Sequence, residues 1–250
     1  MLPLKDRIAI VTGAGRGIGR AIALALSRDG AQVTVSDVNL ASAQSVTTEI
    51  TARGGKSFAI EIDVSAETQV ERLLNTTIVR FSKIDILVNN AGIISTGPIL
   101  ETTAEVWERT HAVNLKSVFL CTKAVLPKMM EQRSGRIINI ASVAGKRGGG
   151  FFGNACYASS KGGVIAFTKG AAREAGPYNI TVNAVAPAMI STEMISGMPA
   201  DKRDSLLKSI PLGRSGSVED VAAAVCFLAS DGAAFITGEI MDVDGGLMMD

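Results

Sequence analysis

Short apolar runs rich in β-branched residues punctuate the chain at 8–11, 33–36, 58–62, 84–88, 136–140, 180–185 and 239–243. They are continuous rather than alternating, the pattern of strands buried on both faces. Longer segments of helical period separate most of them, among them 17–29, 40–53 and 66–81, and the stretches 103–130 and 157–175 predict two long helices. The second is rich in Ala, Gly, Ser and Thr, which lets another helix approach closely. Strand and helix alternate over the whole length, so the expected class is α/β. The strands would form a mostly parallel, doubly wound, seven-stranded sheet with helices on both faces. No linker, low-complexity segment or repeat interrupts the pattern, and one domain over 1–250 is expected. The least regular stretch, 188–216, predicts one or two short helices on a loop with Gly197, Pro199, Pro211 and Gly213.

Composition changes this picture mainly by exclusion. The chain has 250 residues, 47% hydrophobic and 20% charged, which is ordinary globular material. A net charge of +1, from 25 basic and 24 acidic residues, leaves no footprint for nucleic acid or an anionic membrane, and neither is expected as a partner. The three cysteines, Cys121, Cys156 and Cys226, are odd in number and unrelated in spacing. They fit a reducing cytoplasm and form neither a disulfide framework nor a metal motif. The first twenty residues lack a signal-peptide layout, because apolar Ile8 to Val11 is too short. A single histidine, His111, argues against zinc sites and serine–histidine triads and is expected to pack or face solvent.

Two places carry chemistry. Thr12-Gly13-Ala14-Gly15-Arg16-Gly17-Ile18-Gly19 follows the first strand and opens the first helix. Glycines there let backbone N–H groups approach a pyrophosphate, and the helix N-terminus favours its charge. The spacing is Gly-x3-Gly-x-Gly rather than the commoner G-x-G-x-x-G of Rossmann folds. Asp37 ends the second strand, eighteen residues after Gly19. A carboxylate there accepts from both adenosine ribose hydroxyls and repels a 2′-phosphate, which favours NAD over NADP. Arg16 argues the other way, since a basic side chain in the loop pairs with a 2′-phosphate. Asp37 is given the greater weight because no basic residue stands within five positions after it.

The second place is Tyr157-Ala158-Ser159-Ser160-Lys161, with Ser142 fifteen residues upstream. On a helix, Tyr157 and Lys161 share a face about one turn apart. A phenol beside a fixed ammonium is an acid–base pair, with the charge lowering the phenol's pKa. Ser142 is placed to hydrogen-bond the oxygen that gains or loses the proton.

Together these residues resemble the classical short-chain dehydrogenase/reductase family over essentially the whole chain. The resemblance implies a single Rossmann-type domain, with Thr12 to Gly19 as the cofactor loop. It implies that Asp63-Val64 contacts the adenine. Asn89-Asn90-Ala91-Gly92 would steady the sheet and line the cofactor cleft. Asn114 would hold a water in a proton relay, and Ser142, Tyr157 and Lys161 would complete the catalytic set. Asn183 to Pro187, with Ile190 and Thr192, would form the nicotinamide side, and Asp242 to Gly246 the closing turn. Two departures stand out. Pro187-Ala188 replaces the family's Pro-Gly, and the Ser142–Tyr157 gap is fifteen residues where thirteen is common. The extra length falls in 146–154, whose glycines suit a wall of the substrate cleft.

The implied chemistry is hydride transfer between a carbinol carbon and nicotinamide C4. Tyr157 would be the acid–base, Ser142 would polarise the oxygen, and Lys161 would tune Tyr157 and bind the ribose. Met189, Met194, Met198, Phe151 and Phe152 suit either an apolar substrate pocket or core packing. Cys156 adjoins Tyr157 but is not expected to be catalytic. The leading expectation is an NAD-dependent alcohol dehydrogenase or carbonyl reductase for a small secondary alcohol, polyol or sugar derivative. The alternative is a 3-oxoacyl thioester reductase, a branch that Pro211-Leu212-Gly213-Arg214 also resembles but that more often uses NADPH. A non-catalytic dinucleotide sensor is the third reading. Apolar helices at 103–130 and 157–175 point to an interface, and the resemblance implies a homotetramer that these helices build with the C-terminal segment, where Ile240-Met241 and Leu247-Met248-Met249 are apolar enough to join; a dimer is the fallback.

Overall fold

The computed structural model describes residues 2–149, 153–191 and 200–249, the side chains of 200–203 excepted. The apolar runs become seven strands: β1 (Ile8–Thr12), β2 (Gln32–Asp37), β3 (Ser57–Glu61), β4 (Ile86–Asn89), β5 (Gly135–Ile140), β6 (Ile180–Pro187) and β7 (Ile240–Val243). They form one sheet in the order β3-β2-β1-β4-β5-β6-β7, and every pairing is parallel. The order reverses at β1, which sets a crevice beyond the carboxyl ends of β1 and β4. Every residue of β1, β4, β5 and β6 is buried, as their unbroken hydrophobicity requires.

The helices α1 (Gly17–Arg28), α2 (Leu40–Ala52) and α3 (Glu67–Phe81) lie where the period places them. Alternate strand residues feed two cores. Ala9, Val11, Val33 and Val35 pack against Ile22 and Leu26 of α1 and Val221 and Val225 of α9 (Val218–Ala229). On the other face Ile10, Leu87 and Ile137 meet Val70 and Leu73 of α3 and other helical residues.

The stretch 103–130 is not a single regular helix. It divides into α4 (Ala104–His111), a π turn over Ala112–Lys116 and α5 (Ser117–Gln132). The wide turn is not written in local period. It is held by Asn114, whose amide bonds the Ile93 backbone on both sides and Ser160 Oγ. After β5 come the short α6 (Val143–Arg147) and the long α7 (Ala155–Ala175). The irregular stretch holds α8 (Ala200–Lys208), and Ile190 bridges Gly216. Below it Met189, Leu206 and Ile210 form a small core against Leu247 of the C-terminal tail. Thr192, Met194, Gly197, Met198 and Pro199, like Phe151 and Phe152, lie outside the described residues. The apolar period gave no range for α9; its signal was the capping box, in which Ser217 Oγ accepts from Asp220 N and Asp220 Oδ2 from Ser217 N. Among the described residues no helix is long and apolar enough to cross a membrane.

Candidate active site

A cleft of about 870 Å³ runs along the carboxyl end of the sheet. It stretches from Asp37 and Asp63 at one end to Ser142, Tyr157 and Lys161 at the other. Gly13, Arg16, Gly17, Ile18, Val64, Asn90, Ala91, Gly92, Pro187 and Ile190 line it between them. Most of the residues expected at one site are therefore brought together, from six strand ends and α7; Gly19 and Asn114 lie against lining residues, and Thr192 lies outside the described residues.

At the near end the backbone does most of the shaping. Gly19 lies beneath the loop: a Cβ there would sit 2.2 Å from the Gly13 carbonyl oxygen and 2.4 Å from Asn90 Nδ2. Asn90 Nδ2 donates to the carbonyls of Thr12 and Gly13, each at 2.9 Å. Thr12 Oγ1 in turn accepts from the N–H groups of Asn90 and Ala91, both at 3.1 Å. The first and fourth strand ends are thus stitched together at the loop. Asp37 Oδ2 accepts from Gly15 N at 2.8 Å and Oδ1 from Asn39 N at 3.0 Å, so this carboxylate orders the loop before any ribose arrives. Asp63 Oδ1 accepts from Ser65 N and Oγ, while Arg109 reaches Oδ2 at 3.4 Å. Burial opposes its charge, but the Ser65 and Arg109 contacts outweigh that and hold Asp63 below the usual carboxylate range.

A dinucleotide fits these surroundings. No side chain caps the first turn of α1, which leaves its orphan N–H groups for an anion. Gly17 has φ +54°, and nothing occupies the space a Cβ would fill.

At the far end, Tyr157 and Lys161 lie one turn apart on α7, as their spacing requires. Lys161 is buried, and its Nζ donates to the Ile140 carbonyl at 2.7 Å. Burial pulls its pKa down from 10.5 to about 8. Tyr157 keeps part of its surface open to the cleft but is densely packed. Burial raises its pKa above 10, and a hydrogen bond with Ser142 works against that rise. The sequence predicted a phenol acidified by Lys161; here desolvation outweighs any such effect and favours the neutral form of both groups. Asn114 Oδ1 and Lys161 Nζ both flank Gly92, lying 3.4 and 3.5 Å from where its Cβ would be.

Beneath the site a buried amide ladder ties the central strands to α7. Asn89 Nδ2 donates to Asn139 Oδ1, and Asn139 Nδ2 to Thr168 Oγ1, each at 2.9 Å. Ala188, standing where glycine was expected, needs no left-handed backbone and donates its N–H to Val243.

A family model described as enoyl-(acyl carrier protein) reductase matches residues 13–248. The chain belongs to the short-chain dehydrogenase/reductase family. It is an oxidoreductase of that family, which implies a nicotinamide cofactor. Three relatives, each named 3-oxoacyl-[acyl-carrier-protein] reductase, match over nearly their whole lengths. That of Synechocystis sp. is 46% identical and covers all of both chains. That of Staphylococcus epidermidis is 43% identical over 98% of this chain and all of its own. That of Escherichia coli is 43% identical over 98% of each. These overturn the leading expectation of a dehydrogenase for small alcohols, polyols or sugars. The error has a physical source: the roles expected of Ser142, Tyr157 and Lys161 concern an oxygen and a proton, and would be the same whatever else the substrate carries.

Gly153 and Asn154 fall within 146–154, the stretch expected to wall the substrate cleft, but their contacts with Tyr157 were not foreseen. Asn154 caps α7, its Oδ1 accepting from Tyr157 N at 3.1 Å while its Nδ2 reaches Thr102 Oγ1. Gly153 has φ +73°, and a Cβ on it would lie 2.3 Å from the Tyr157 ring, so the bulky phenol is packed on a glycine. The Asn-x-x capping pattern was the available signal. Arg109 was visible only as a helical surface charge. His111 packs against Trp107 and accepts or donates at Ser159 Oγ, 3.1 Å away, which is the packing role expected of it. The three thiols are free and buried, and burial pushes those of Cys121 and Cys226 up to about 12.

Proposed function

We propose that this chain is an NAD(H)-linked reductase of 3-oxoacyl thioesters, with the acyl group presented by acyl carrier protein. The observation that carries the reading is the full-length identity of 43–46% to proteins named for that reaction. A bound nicotinamide cofactor would supply the hydride for the 3-oxo carbon. Ser142 donates a hydrogen bond to the 3-oxo oxygen as it gains charge, and Tyr157 transfers its phenolic proton to that oxygen to give the 3-hydroxyacyl product. The raised phenol pKa supports the reductive direction, because Tyr157 starts out protonated. Lys161, through its ammonium, and Asn114, through a bound water, return a proton to Tyr157. Lys161 also holds the nicotinamide ribose.

The cofactor loop, Asp63-Val64, Asn90 to Gly92, Pro187, Ile190 and Thr192 are assigned to cofactor binding. NAD rather than NADP is supported by Asp37, whose charge lies beside the loop at Gly15. The whole of 1–250 is taken as one domain, working in the cytoplasm. A homotetramer is supported by half-exposed Val106, Trp107 and Phe119 on α4 and α5 and by fully exposed Phe235.

The test is the oxidation of NADH and NADPH with 3-oxobutanoyl thioester, against a panel of polyols and hydroxy ketones. Turnover of the thioester and a preference for NADH of about tenfold or more in kcat/KM are expected. No thioester turnover with either cofactor would overturn the reading. Sedimentation with activity measured alongside tests the assembly, which a fully active monomer would refute.

A further inference from the structure

We propose that Lys146 is a positioning residue for Ser142, acting through an ion pair with Asp242 on the last strand; the inference rests on the catalytic role given to Ser142 above. Ser142 ends β5 and caps α6, its Oγ accepting from Ala144 N at 3.1 Å. The hydroxyl's direction therefore follows the first turn of α6. That helix has five residues, too few to hold itself by its own hydrogen bonds.

Among the described residues, two contacts hold it from outside at successive positions. The first is Gly145 against α7: a Cβ there would lie 2.7 Å from both the Lys161 carbonyl carbon and Gly162 N, so the two backbones touch at the turn carrying Lys161. The second is Lys146 Nζ to Asp242 Oδ2, 2.7 Å apart, with side chains 14% and 18% exposed. Neighbouring helix positions point about 100° apart, so the two contacts clamp α6 from different sides. Asp242 is itself fixed. It pairs with Ala186 of β6, next to Pro187 at the cleft. The pair thus ties Ser142 to the strand beside the nicotinamide end, across 96 residues of sequence.

Sheltered from solvent, the pair is not an ordinary surface salt bridge. Removing one partner takes away a sheltered contact between α6 and β7, and α6 is then freer to shift. A displacement of about 1 Å in a reacting group is enough to cost up to roughly 10²-fold in rate. The phosphate loop is held separately, by Asn90 on Thr12 and Gly13. The pair should accordingly govern kcat and leave cofactor affinity alone.

The test compares Lys146→Met with Lys146→Arg and Asp242→Asn with Asp242→Glu. It measures kcat, the cofactor Kd and the hydrogen-exchange rate of the Ala144 amide. Lys146→Met and Asp242→Asn should each lower kcat about tenfold with Kd changed by no more than about twofold, and should speed exchange at Ala144. Lys146→Arg should keep kcat within about threefold of wild type. The double variant Lys146→Met/Asp242→Asn should lose less than the product of the two single effects, because either single variant already breaks the pair. Wild-type kcat in Lys146→Met, equal losses in Met and Arg, or a parallel loss of cofactor affinity would each overturn the proposal. If Lys146→Met does not fold, the Asp242 pair decides on the same terms. Failure of the wild type to reduce any 3-oxoacyl thioester would refute the proposed reaction instead, and Ala144 exchange would still report on the ion pair.

Discussion

The two ends of the cleft are built by different means. The adenine end is shaped by backbone: glycines that admit a close approach, N–H groups left open at α1, and Asn90 and Asp37 binding the loop through main-chain atoms. The catalytic end is shaped by side-chain burial. Tyr157 and Lys161 come from α7, Ser142 from the end of β5 and Asn114 from the π turn, and burial shifts both the Tyr157 and the Lys161 pKa towards the neutral form. Under the proposed function, the first arrangement would fix where the cofactor sits and the second what happens to a proton. Substitutions at the two ends should consequently separate into effects on binding and effects on rate.

The sharpest test is Tyr157→Phe, which keeps the ring and removes the proton. A fall in kcat of roughly 10²-fold or more is expected, with cofactor affinity measured by fluorescence titration unchanged. Near-normal turnover would take the phenol out of the chemistry.

A matched pair of glycine variants probes the division itself. Gly19→Ala puts a methyl group 2.2 Å from the Gly13 carbonyl oxygen, and overpacking of this sort costs about 1–3 kcal/mol. Cofactor Kd should weaken by roughly tenfold or more. Gly153→Ala combines a left-handed φ with a clash on the Tyr157 ring. It should lower kcat by roughly tenfold and spare Kd. If both variants damage Kd equally, the two ends are not separate constructions.

This division also explains what the amino-acid sequence made legible. The glycine loop and Asp37 could be read directly, because backbone approach demands glycine at fixed spacing whatever surrounds it. The strands were legible for a similar reason: burial on both faces leaves a continuous apolar run, and β1, β2 and β5 lie within a residue of the expected ranges. The π turn at Asn114 was not, because it depends on Ile93 and Ser160, distant in the chain. Nor was the protonation of Tyr157, since one-turn spacing to Lys161 says nothing about desolvation. The substrate was the largest miss. The roles expected of Ser142, Tyr157 and Lys161 concern only a carbonyl, and the relatives, not these residues, pointed to an acyl thioester.

Asp37→Ser should have a smaller and two-sided effect. Loss of the carboxylate removes the repulsion of a 2′-phosphate, and the NADH-to-NADPH ratio of kcat/KM should drop below about tenfold. Asp37 also holds Gly15 N, so both cofactors should bind more weakly than NADH does to the wild type. A ratio that falls solely through improved NADPH binding would show that the loop does not need this bond.

The smallest effect concerns stability and comes from the catalytic end alone. Lys161 has a folded-state pKa of about 8 against an ordinary 10.5. Below pH 8 the folded protein carries a buried ammonium, and the cost of desolvating it is fully present. Between pH 8 and about 10 the unfolded chain still binds the proton that the folded one has released, so this group makes stability rise with pH, by at most about 1.4 kcal/mol per unit. Tyr157 acts in the opposite sense, but only above its ordinary pKa of 10, so it leaves that window clear. Thermal unfolding of the cofactor-free protein across pH 7.5–10, wild type against Lys161→Met, isolates the contribution. The methionine variant should be the more stable below pH 8, with the difference shrinking as pH rises. A difference that stays constant across the range would mean that Lys161 keeps its charge throughout, and that its ammonium is solvated or paired well enough to offset its burial.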